Sequence, residues 1–222
     1  MNTANKTTGF MRTSLAIVAV VAYQVLAHHA VATPDEHGLG LVMALAPPLL
    51  LALGAAARSP RRAGWLALWM VVTGALWAAR TPLAQHFEWG LYLEHASFNL
   101  GMALLFGRTL AAGRVPLCTQ FATMMRGPHA RRLSPAVTRY TRSLTLAWTA
   151  FFVAIATVST LLFAFAPIVD WSTFANYLAL PLVGAMFVAE HAFRRFAVPD
   201  EPQARMMDAI RAYRQTNAGQ MQ

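Results

Sequence analysis

Six apolar stretches alternate with short polar connectors along this chain, at about 14–32, 39–57, 63–79, 89–106, 144–165 and 174–193. Each is close to the roughly 20 helical residues that cross a hydrocarbon layer about 30 Å thick. The pattern predicts an all-α membrane protein with six transmembrane helices in one integral membrane domain over 1–222. The connectors 33–38, 80–88 and 166–173 are short, so consecutive helices should be antiparallel neighbours. Pro47-Pro48 falls in the middle of the second stretch and Pro181 in the sixth. Proline has no N–H to donate and crowds the preceding turn, so a bend is expected at each. Gly74, Ala78 and the run Gly54-Ala55-Ala56-Ala57 provide small faces for close packing.

The basic residues orient this pattern. Of 18 Lys and Arg, all but Arg80 lie before the first stretch, after the second, after the fourth or after the sixth. Basic connectors stay in the cytoplasm, which predicts cytoplasmic N- and C-termini in a bacterial inner membrane. Asp35, Glu36, Glu88 and Asp170 fall on the opposite side. A net charge of +9 would point to nucleic acid in a soluble domain. Here it is a topology signal and an attraction to anionic lipid, and no aromatic-basic stacking pattern accompanies it. Ala30-Val31-Ala32 has the small-residue spacing of a signal-peptidase site. The length of the first stretch and the short connector after it favour a retained helix. Trp89, Tyr92, Trp171 and Tyr177 are expected at one membrane interface and Trp65 at the other.

The connector 107–143 carries seven arginines, Arg108, Arg114, Arg126, Arg131, Arg132, Arg139 and Arg142, and no acid. Leu117, Phe121, Met124 and Met125 recur at helical spacing after Pro116. They predict a short interfacial helix, ended by Gly127-Pro128, that buries these four among lipid tails and holds arginines at the phosphates. Ser134-Pro135 reads as an N-cap and first turn of the next helix. The tail 194–222 predicts a second surface helix after Pro199, with Asp200 as cap. The seven arginines are candidates for docking a lipid or an anionic acyl carrier.

Glu94, His95 and Asn99 form the strongly polar set inside the fourth stretch. Ionisable groups at membrane depth are costly and are candidates for function. At 1.5 Å per residue, Glu94 and His95 lie about 7–9 Å in from Trp89. His28 and His29 lie at a similar depth in the first stretch. The five are candidates for a substrate-polar-group or proton site, since histidine titrates near neutral pH. A packing role, each group satisfied by a hydrogen bond, is the plainer alternative. No metal is expected: neighbouring His28 and His29 point about 100° apart. Glu190 sits one turn before Arg194, which predicts an ion pair.

Desaturase histidine boxes, the His-x4-Asp acyltransferase pair, zinc-protease motifs and phosphate loops are missing. Cys118 is the single cysteine, so no intramolecular disulfide is available. As a nucleophile it would need a base or a lowered thiol pKa. No cofactor is implied, and the pattern leans away from an enzyme.

Phe106-Gly107-Arg108-Thr109-Leu110, Gly113-Arg114-Val115-Pro116-Leu117-Cys118-Thr119, Arg139-Tyr140-Thr141-Arg142 and Trp148-Thr149-Ala150-Phe151-Phe152 resemble a family of small bacterial inner-membrane proteins. That family is encoded beside the fatty-acid-synthase-like enzymes that make aryl polyene, xanthomonadin-type pigments. Phe165-Ala166-Pro167, Trp171-Ser172, Asn176 and Glu190 extend the resemblance, which covers roughly 94–195. It implies an accessory role in aryl polyene-like lipid biosynthesis, with acyl carrier protein or soluble biosynthetic enzymes as partners. It carries over no catalytic residues. A proton-linked lipid transporter and a membrane-bound acyl or glycosyl transferase are the competing readings.

Overall fold

The structure is a computed structural model that describes residues 3–33, 35–126 and 133–197, with the side chains of 3–10, Arg12, Arg126 and Arg195 left undescribed. Arg131, Arg132, the Gly127-Pro128 stop and the tail helix after Pro199 lie outside the described residues. The described chain is helical, with α1 Thr3–Ala32, α2 His37–Arg58, α3 Arg62–Ala78, α4 Arg80–Gln85, α5 Phe87–Gly107, α6 Leu117–Arg126, α7 Pro135–Phe165, α8 Ile168–Thr173 and α9 Ala179–Ala197. Among the described residues, four helical stretches are long and apolar enough to cross a membrane: Thr13–Ala32, His37–Arg58, Pro135–Phe165 and Ile168–Arg194. These make the chain compatible with a multi-pass membrane protein. α3 and α5 fall outside that set. α3 has 17 residues, about 25 Å at 1.5 Å each, and α5 carries Glu88, Glu94, His95 and Asn99.

Two connectors that read as loops contain short helices. Pro82 sits in the first turn of α4, and Pro167 immediately precedes α8. Proline is tolerated there because first-turn N–H groups have no helical partner. A second departure is a π-turn over Phe174–Leu178, between α8 and α9. Its bonds span five residues, the Ala179 N–H reaching the Phe174 carbonyl. Ser134 caps α7 as expected, accepting from the Val137 N–H at 3.3 Å.

The chain divides into two compact units, Met1–Phe98 with Ala156–Pro181, and Asn99–Ile155 with Leu182–Gln222. The first has a core of Ala27, Ala30, Ala44, Phe87, Leu91, Trp171 and Ala175. Here α2 and α5 approach closely. A Cβ on Gly40 would overlap the Phe87 ring, and one on Gly90 would stand 2.8 Å from Ala44 Cβ. Small residues at both points let the backbones meet. Beside this core, Tyr92 stacks on Phe163 at 4.3 Å, and Trp89 and Trp171 meet Phe163 edge-on. Trp171 is not an interfacial anchor. It is 1% exposed, because its indole N–H is consumed inside the unit.

The second unit is built on Ala103, Trp148 and Phe152, with Phe106, Leu144, Phe151, Val183 and Met186 around them. α6 docks on α7 through threonines. Leu117 N–H donates to Thr109 Oγ1 at 3.0 Å, and Cys118 N–H to Thr145 Oγ1 at 3.2 Å. These hydroxyls satisfy two of the four N–H groups that a helix start leaves open. Thr119 and Thr141 share a 2.7 Å hydrogen bond one turn on. Thr141, Thr145 and Thr149 each return their hydroxyl hydrogen to a carbonyl four residues back, the usual solution for threonine in an apolar helix. Gly113, at φ 76°, makes the left-handed turn that leads into α6.

Candidate functional site

The first unit gathers the sequence-predicted polar residues, but not as one cluster. Glu94, half-buried on α5, accepts a 2.6 Å hydrogen bond from the Tyr23 hydroxyl of α1. Tyr23 also stands 3.3 Å from the Met43 carbonyl of α2. His95 Nδ1 lies 3.0 Å from Ser159 Oγ on α7, and Trp171 donates to the same oxygen at 3.0 Å. His28 Nδ1 lies 3.1 Å from Ser172 Oγ, and its ring stands 4.6 Å from that of Tyr177. Asn176, in the π-turn, donates to both Ser172 O and Ser172 Oγ. His29 is exposed and bonds Thr33, one turn along its own helix.

Two serines organise this layer. Ser159 and Ser172 are both wholly buried. Each hydroxyl oxygen meets a histidine ring nitrogen and accepts one further N–H, so each histidine's tautomer follows from which way the hydroxyl hydrogen turns. Glu94, His28 and His95 thus each meet a different hydroxyl, those of Tyr23, Ser172 and Ser159. Among the described residues no group of three or more His, Cys, Asp or Glu is placed to hold a metal ion. Asn99 is 5% exposed and belongs to the second unit.

Pro47 explains why Tyr23 meets a carbonyl. In a regular helix the N–H of residue 47 would close on Met43; proline lacks it. Further along α2, Trp69 of α3 donates to the Leu49 carbonyl at 2.9 Å. Of these two carbonyls, that of Met43 is the one the proline pair opens, and it draws its donor from α1, as helices in lipid require.

The second unit holds the basic candidates. Arg108, Arg114, Arg139 and Arg142 are exposed. Arg114 donates to the Arg108 carbonyl at 3.4 Å and Arg142 to the Leu110 carbonyl at 3.3 Å. Among the described residues the ion pair within 4 Å is His86–Glu88, at 3.8 Å. The predicted pair of Glu190 and Arg194 does not form. Tyr140 instead directs its hydroxyl at Glu190, 3.5 Å from Oε1. An open groove of about 750 Å³ is lined by Arg108, Thr109, Arg114, Val115, Gln120, Thr123 and Met124. Beside it, Phe121, Met124 and Met125 of α6 are 52%, 73% and 47% exposed. Leu117, the fourth residue of the expected apolar face, is half-buried instead, because the helix docks on α7 by its first turn.

Cys118 packs against the core of this unit. Burial pushes its thiol above the ordinary range, with Thr145 acting in the opposite direction. A thiol held protonated is a poor nucleophile. Tyr23, Ser159 and Thr145 were not singled out from the sequence, and Ser172, Thr141 and Thr149 entered only through the resemblance. The signal present was weak: hydroxyl residues at i, i+4 in an apolar helix. No protein-family model, curated protein or solved structure matches this chain.

Proposed function

We propose that this chain is a six-span inner-membrane protein with both termini in the cytoplasm. It serves as an accessory of aryl polyene-like lipid biosynthesis, receiving acyl carrier protein or the pathway's soluble enzymes at its basic cytoplasmic face and handling the lipid product in its helices. The observation that carries this reading is the surface around α6. Arg108 and Arg114 line an open groove with no carboxylate partner among the described residues, beside exposed Phe121, Met124 and Met125. Apolar side chains flanked by arginines suit the headgroup region. Unpaired guanidinium groups suit phosphate or carboxylate, which they grip in a planar fork. The resemblance over 94–195 supplies the pathway.

The deciding experiment removes the encoding gene from a pigment-producing host and restores it as wild type or as Arg108→Ala/Arg114→Ala. Deletion is expected to lower membrane-held pigment. The double variant is expected to weaken acyl carrier binding at least about tenfold while still inserting. Unchanged pigment amount and placement in the deletion would end this reading.

A second reading, a small proton-linked lipid carrier, is favoured by the Tyr23–Glu94 hydrogen bond inside an apolar unit. It requires that Glu94→Gln block product export while synthesis continues. The transferase reading finds no support in Cys118, whose thiol burial disfavours ionisation.

A further inference from the structure

The Tyr23 hydroxyl has one hydrogen and two acceptors, Glu94 Oε2 at 2.6 Å and the Met43 carbonyl at 3.3 Å. The second acceptor exists because Pro47 cannot use it. One hydrogen serves one of them well at a time. We propose that Glu94 is a proton-binding site whose occupancy is passed through Tyr23 to the proline-interrupted part of α2. When Glu94 is ionised, the carboxylate is the stronger acceptor and Tyr23 donates to it. The Met43 carbonyl then lacks that donor. When Glu94 takes a proton from hydronium, water is released and a carboxyl O–H forms. This O–H donates to Tyr23 Oη, and the phenol turns its own hydrogen to Met43. Tyr23 never gives up its proton; it changes the acceptor it serves.

The surroundings isolate this switch. α1 presents Tyr23 and, further along, His28, which is turned to Ser172. On α5 the neighbouring His95 is turned to Ser159. α2 has no charged residue between His37 and Arg58, α3 none between Arg62 and Ala78, and the 156–165 stretch of α7 none. The 168–178 stretch adds Asp170, which is exposed, and Tyr177, which faces the His28 ring. α2 is coupled to the site by packing as well. Gly90 touches Ala44, and Glu94 follows Gly90 by one turn on α5. A carbonyl without a donor is costly in an apolar setting, so the two protonation states differ in how firmly α1 holds α2. This inference stands apart from the docking surface in the second unit, and its failure would leave that proposal untouched.

The test uses the full chain in phosphatidylcholine nanodiscs, with ¹³C-carbonyl methionine, ¹⁵N-alanine and side-chain-carboxyl ¹³C glutamate. Met precedes Ala only at Met43-Ala44 and Met102-Ala103, so two carbonyl–nitrogen correlations are expected, and Met102→Leu identifies them. Glu94→Gln identifies the Glu94 carboxyl signal. The Met43 carbonyl is expected to move downfield as pH falls, over the range in which Glu94 titrates. In Tyr23→Phe, Glu94 should still titrate while Met43 stays still, and the Met102 signal serves as the folding control. A Met43 signal that ignores Glu94 titration would overturn the proposal. So would the same movement in Tyr23→Phe, or a Glu94 that does not titrate.

Discussion

A single hydroxyl at position 159 meets the demands of two larger side chains. Ser159 Oγ serves His95 and Trp171 together, and the indole, 1% exposed, has no water to turn to. Ser159→Ala removes little volume but leaves a buried N–H without this acceptor. That costs about 1–3 kcal/mol, read as a lower midpoint in detergent unfolding, with a smaller loss in Ser159→Thr. An unchanged midpoint in the alanine variant would contradict the assignment. The sequence made Glu94 and His95 visible because ionisable groups are rare in apolar helices. Their partners were hidden: Tyr23 is 71 residues from Glu94, and Ser159 is 64 from His95. Trp171 was misread for the same reason. As an isolated residue near a helix end it looks like an anchor, and only its acceptor on α7 draws it inside.

At the scale of elements, α6 depends on hydroxyls from outside itself. Its 10 residues are too few to hold a helix alone in water. Thr109 and Thr145 accept from its first N–H groups, and the Thr119–Thr141 bond fastens the next turn. Thr109→Val/Thr145→Val keeps the shape and removes both acceptors. Each lost cap is worth about 0.5–2 kcal/mol, so α6 amides should exchange with deuterium roughly tenfold faster or more, while those of α7 after Trp148 do not change. Equal protection in the double variant would show that packing alone holds α6. The helix was legible from Pro116 and the spacing of its apolar residues. The π-turn over Phe174–Leu178 was not, since nothing in that run of residues marks five-residue spacing apart from the α-helical kind.

For the molecule as a whole, the arginines carry the proposed orientation. Arg80, the exception, lies over the Trp77 ring at 5.0 Å, a contact open to it at an interface on either side. Cys118 is a poor reporter of sidedness, because it is packed against Trp148 and its neighbours. Two single cysteines in a Cys118→Ala background serve better: His86→Cys, at a residue 71% exposed, and Gln120→Cys, on the exposed side of α6. With a thiol reagent that does not cross membranes, intact cells should label the first and spare the second. The opposite pattern would invert the orientation and move the basic groove away from any cytoplasmic carrier.

The order of the chain determined the long helices, because apolar length acts locally and shows in any window of about 20 residues. It also marked which polar groups must find partners, since an ionisable side chain in an apolar stretch is conspicuous wherever it ends up. What the tertiary structure decided is which partner each one has. Glu94 meets a phenol rather than a histidine, both His28 and His95 meet buried serines, and a carbonyl opened by Pro47 lies beside the hydroxyl that also serves Glu94. Such pairings depend on the rotation of each helix about its axis. That rotation is set by contacts such as Gly90 on Ala44, between residues too far apart along the chain for any local pattern to register.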